Sequence, residues 1–202
     1  EAADAVLRLN RSAAGALVRA ALDGVASAAP ATLEDHALLA GGLLALATAT
    51  GEVAYASTAH DLVDEALVGA IGGDATLAAQ GIVIPAAADD SVLPSGPAAL
   101  AAACRTLWAL GAGEQYRDAA TQIVRDGAPR ALAEPIGGAA LLTVAHTLRR
   151  APRQLVAVAP DAEARVAADG LPTADVVASV TASQAEAFAD AGFALFEGKR
   201  PM

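Results

Sequence analysis

The sequence predicts a mainly α-helical chain whose helices alternate between inner and outer positions, as in an α/α toroid or solenoid, followed by a small α/β unit. Three observations lead there. Ala and Leu dominate, and β-branched runs are scarce before the last quarter, which makes helix the default. Segments that are apolar all round (33–50, 97–110 and 136–150) alternate with amphipathic ones (52–69 and 114–126). After residue 150 the hydrophobic period shifts from helix-like to strand-like. Inner helices are covered on all sides and outer ones on one, so two layers of helices require this alternation.

Ala2 to Leu9 reads as a short helix, and Leu17 to Ala21, closed by Asp23-Gly24, as an extended or turn segment. Leu33 to Thr50 is a long apolar helix stopped by Gly51. Glu52 to Gly69 is its amphipathic partner, with Asp61, Asp64 and Glu65 gathered on one face. The stretch from Gly72 to Pro97 is punctuated by glycine and proline and holds one apolar run, Gly81 to Pro85. Pro97 to Leu110 is a second apolar helix, closed by Gly111-Ala112-Gly113, and Glu114 to Arg125 is again amphipathic. Ile136 to Arg150 is the third apolar helix. Gln154 to Ala159 and Asp175 to Val180 are short strands that bracket a helix over Asp161 to Asp169, a βαβ-like unit. The division is therefore 1–150 for the helical hairpins and 151–202 for the α/β unit.

Composition sets the function classes. The 202 residues are 55% hydrophobic and only 3% aromatic, and the mean hydropathy is +0.44, so the chain can bury enough surface to fold. Thirteen Lys and Arg stand against 23 Asp and Glu, a net charge of −10. That sign argues against nucleic acid or an anionic membrane as partner. The stretches without acidic or basic residues between Asp35 and Glu52 and between Glu134 and Arg149 fall short of the ~18–20 residues of a spanning helix. Glu1, Asp4 and Arg8 leave no signal-like run at the start, and a cytoplasmic setting is expected. The first residue, Glu1, suits a piece of a longer polypeptide. Cys104 is the one cysteine, so neither an internal disulfide nor a zinc cage is available.

Short links join inner to outer helices and long ones lead back, which places all inner-helix N-termini at one rim. The polar residues that open those helices are the candidate site. Asp35, His36 and Glu134 are candidates for general acid/base work, with Glu34 and Ser95 as binding residues. Positive helix ends at this rim bias it towards anionic groups. Each candidate also has a structural reading: first-turn acids for Glu34 and Asp35, an N-cap for Ser95, a boundary acid for Glu134 and a buried, hydrogen-bonded imidazole for His36. His60 and His146 lack metal-ligand spacing, and Cys104 reads as a small buried hydrophobe, so no metal or cofactor is expected. No Walker loop, GxGxxG after a strand, HExxH or GxSxG occurs. Gly41-Gly42, Gly72-Gly73 and Gly137-Gly138 suit close packing or turns. The scarcity of aromatic platforms weighs against a sugar-processing cavity.

Several ordered stretches resemble one family. Leu17 to Gly24 and Ala31 to Ala37 are similar to its "L-x-R … G … fl-D-D-Y-A", and Leu43 to Tyr55 to its "gLL-x-LY-x-x-TGD-x-x-yL". Asp90 to Pro97 resembles "D-x-a-x-PSGN-S", and Glu134-Pro135 falls near a later family proline. In order and spacing these resemble the helical half of the thioredoxin-domain proteins related to spermatogenesis-associated protein 20. The resemblance implies an N-terminal thioredoxin-like domain followed by an (α/α)6 toroid, similar to those of N-acylglucosamine 2-epimerases and some glycoside hydrolases, of which this chain is the later part. The family's acid-acid-aromatic is Glu34-Asp35-His36 here, its asparagine after Pro-Ser-Gly is Pro97, and its C-terminal cysteine pair is absent. Three functions follow as expectations: a scaffold or small-ligand-binding helical module, a carbohydrate isomerase or hydrolase, or an interaction subunit. A partial ring leaves apolar helix flanks for the rest of the polypeptide or a partner protein to cover.

Overall fold

Among the described residues the chain forms seven helices and two small sheets, so it is mainly helical with a small α/β part. The structure, a computed structural model, describes residues 1–68, 89–161, 163–164 and 174–201. The apolar run Gly81 to Pro85, the pair Gly72-Gly73 and most of the expected helix over Asp161 to Asp169 lie outside the described residues.

Helix α1 (Ala2–Leu9) is tied to the body by the Tyr55 hydroxyl, which donates to Asp4 Oδ1 at 2.7 Å. Strands β1 (Ala21–Leu22) and β2 (Val25–Ala26) pair antiparallel around Asp23-Gly24. Both turn residues have positive φ, 50° and 79°, the backbone that Asp-Gly is suited to. Helix α2 (Leu33–Thr50) starts in a capping box between Thr32 and Asp35 and ends at Gly51 in the left-handed region, φ 75°. Helix α3 (Val53–Leu67) packs against it. Helix α4 (Gly96–Leu110) lies against both, and Gly111 ends it, again left-handed. Helix α5 (Glu114–Ala133) and helix α6 (Ala139–Leu148) pack against α4 and against each other.

Strands β3 (Gln154–Ala159) and β4 (Val176–Thr181) pair in parallel, with Gln154 opposite Val176. Helix α7 (Ala182–Asp190) and a 3₁₀ turn (Ala194–Phe196) close the described chain. Gln184 completes the Thr181 capping box of α7 and also donates to the Thr50 carbonyl at 3.2 Å, which pins α7 to the end of α2. One apolar core runs from Leu17 through α2 to α6 into β4 and the phenylalanines at 188, 193 and 196.

Burial departs from the simple inner/outer expectation. Helix α4 is buried along most of its length, including Ala98, Leu100, Ala101, Leu107 and Leu110. Helix α2 buries Ala40, Leu43, Leu44 and Ala47 but exposes Gly42, Ala45 and Ala49, and α6 buries only Leu141 and Val144. Of the three apolar helices, α4 is the one that packs against four other described helices, α2, α3, α5 and α6. Helix α5 also runs past the expected end at 126, through Gly127 and Pro129, because its last turns pack on α6: a Cβ on Gly138 would meet Ala131 Cβ at 2.5 Å. No helix among the described residues is long and apolar enough to cross a membrane.

Candidate functional site

The N-termini of α2, α4 and α6 meet at one end of the molecule. Gly96 makes the first contact possible, since a Cβ there would lie 3.1 Å from the Glu34 backbone nitrogen. Asp90 makes the second: its Oδ1 accepts from Ser95 N at 2.9 Å and its Oδ2 from Ala140 N at 2.7 Å. One carboxylate thus satisfies a free N–H at the start of α4 and another at the start of α6. The Asp90 backbone N–H donates to the Gly137 carbonyl at 2.7 Å, which holds the loop in place.

Beside this junction lies a cavity of about 330 Å³, within the size range of small-molecule sites. Leu33, Pro97, Leu100, Ile123, Ala131 and Leu141 form its apolar wall, while Asp89, Ser95, Asp126 and Arg130 supply its polar groups. Arg130 engages Asp89 through two nitrogens, Nε at 2.5 Å and Nη2 closer still. The guanidinium beside Asp89 holds that carboxyl below the usual range, and Asp89 in turn raises Arg130. Asp126 keeps one carboxylate oxygen uncommitted, its Oδ1 accepting from Gln122 Nε2 at 2.7 Å. Ser95 is 4% exposed, and its hydroxyl makes no capping bond to α4.

The residues expected at the rim divide sharply. Ser95 lines the cavity. Asp35 does not: its Oδ2 accepts from Thr32 N at 2.8 Å and Thr32 Oγ1 at 2.9 Å, with Arg19 Nε at 3.7 Å. His36 is buried, with Nδ1 3.0 Å from the Thr32 carbonyl and Nε2 3.6 Å from Glu65 Oε2, so its ring faces α3. Glu34 lends its backbone to the α2–α4 contact, and Glu134 is exposed at the end of α5. None of Glu34, Asp35, His36 and Glu134 lines the cavity. The expected bias towards anions also changes, because Asp35 and Asp90 already sit on the helix N-termini.

Sequence reasoning missed Asp89, Asp90, Asp126 and Arg130 as site residues. Asp90 had a visible signal, an acid five residues before a Ser-Gly-Pro helix start. Asp89 and Arg130 are 41 positions apart, and nothing local announces their pairing.

Two further polar clusters sit elsewhere. The Tyr116 hydroxyl donates to Asp64 Oδ1 at 2.6 Å and closely contacts His60 Nε2, an arrangement that requires the proton on His60 Nε2. Burial and the Asp64 carboxylate push Tyr116 up, and burial pushes the nearby Cys104 thiol up to about 12. At the start of β4, Asp175 accepts from Arg150 Nη1 at 2.6 Å, Arg150 Nη2 at 2.8 Å and Arg153 N at 2.8 Å, with buried Arg105 Nη2 at 3.4 Å. The first cluster ties α3 to α5, and the second ties the start of β4 to α4. No group of three His, Cys, Asp or Glu among the described residues is placed to hold a metal ion. Compared with known proteins, the chain matches no family model and no curated protein.

Proposed function

We propose that this chain is a small-ligand-binding helical module, the toroid-type region of a cytoplasmic protein resembling the thioredoxin-domain proteins named above. The carrying observation is the rim cavity, where a mostly apolar wall meets the polar residues Asp89, Ser95, Asp126 and Arg130. Binding sites for small molecules have this composition. An isomerase or hydrolase reading has less support, since the Asp35 carboxylate is spent on a cap and the His36 ring faces α3. The interaction-subunit reading draws on a separate feature: an apolar groove of about 430 Å³ lined by Leu38, Gly41, Gly42, Ala102, Ala103 and Val144 among others.

The test is saturation-transfer NMR with a panel of small amphiphilic fragments, on the wild type and on Ile123→Trp, which fills the cavity. Signals present in the wild type and lost in the variant are expected. Equal binding to both would move the site elsewhere, and no binding to either would leave the module a scaffold.

A further inference from the structure

We propose that the rim cavity selects a hydrophobic amine, a protonated amino group on an apolar body. This rests on the ligand-binding reading above and adds the chemical class.

The N-termini of α4 and α6 point partial positive charge at this rim, yet the Asp90 carboxylate is seated on both. Arg130 is the only cation among the lining residues, and it is committed to Asp89 through two nitrogens. An incoming anion would therefore find no uncommitted cation and would face the carboxylate of Asp126.

The groups left over can both accept a hydrogen bond. Asp126 has a carboxylate oxygen beyond the one that Gln122 uses. Ser95 also lines the cavity, and its hydroxyl makes no capping bond to α4. An ammonium carries three donors and no acceptor, which matches a carboxylate oxygen and a hydroxyl oxygen. Leu33, Leu100, Ile123 and Leu141 then cover the apolar body. The net charge of −10 steers cations towards the protein rather than anions.

The experiment is isothermal titration of the protein with n-hexylamine, n-hexanol and hexanoate at neutral pH and constant ionic strength. Hexylamine should bind most tightly and hexanoate least. Asp126→Asn, a substitution at an exposed position, should weaken hexylamine about tenfold while leaving hexanol nearly unchanged. Ser95→Ala should weaken hexylamine without lowering the unfolding midpoint, because the hydroxyl makes no capping bond to α4. If hexanol or hexanoate binds as tightly as hexylamine, and Ile123→Trp abolishes it, the amine proposal falls and the ligand-binding reading stands. If none of the three binds, both fall.

Discussion

At the scale of the single residue, the most consequential side chain is one that carries no obvious motif. Asp90 accepts from the backbones of two different helices, so it acts as a shared N-cap. Asp90→Ala should lower stability by about 2 kcal/mol, as two N–H groups lose their acceptor, and Asp90→Asn by less, which urea unfolding would show. Asp175 belongs to the same scale. Its carboxyl is held well below the usual carboxylate range, first by the Arg150 guanidinium and then by the Arg153 N–H. A carboxyl lowered by folding contributes stability above its unfolded value of about 4, and that contribution is lost as the pH falls towards the folded value. The urea midpoint of the wild type should therefore drop more steeply below about pH 4 than that of Asp175→Asn. At neutral pH that variant should itself be less stable by about 3 kcal/mol, because Arg105 keeps its buried charge without a counterion. The sequence marked His36 and Asp35 as noteworthy, and both are firmly held, but their partners are Thr32 and Glu65. Residue type and first-turn position were visible in the chain; the direction in which each side chain is used was not.

Among the elements, those with strong local signals were legible. Helix α2 has its expected bounds because Thr32, Asp35 and Gly51 supply a cap at each end. Strand β3 likewise coincides with the apolar run Gln154 to Ala159. Helix α5 shows where local signals mislead. Gly127 and Pro129 read as a stop, yet contact with α6 carries the helix on to Ala133. Gly138 is the close point of that contact, so Gly138→Ala should cost about 2 kcal/mol, since the new methyl meets Ala131 backbone as well as side chain. Thermal unfolding would check it. Helix α7 was not anticipated, although Thr181 and Gln184 spell a capping box just after a strand. Its nine residues are too few for a clear apolar period.

For the molecule as a whole, a mainly helical fold with a small α/β part was legible from composition and period, because both average over many residues. The cavity was not, since its lining comes from the loop before α4 and from four helices, and only long-range pairing defines it. Cys104 offers a direct probe of the assembled core. Fully buried and with its thiol pushed up to about 12, it should resist a disulfide reagent in the native state and react at the rate of unfolding when urea is added. Fast reaction in buffer would show that α4 is not enclosed as described. The shared cap at Asp90 has one more implication, and it is mechanical. A carboxylate is rigid, so the two N–H groups it holds keep a fixed separation, and any splaying of α4 from α6 must swing about that point. The rim is then the fulcrum and the opposite helix ends travel furthest. A pocket built at a fulcrum keeps its shape while the rest of the bundle breathes, and an occupant loses little affinity to reshaping it.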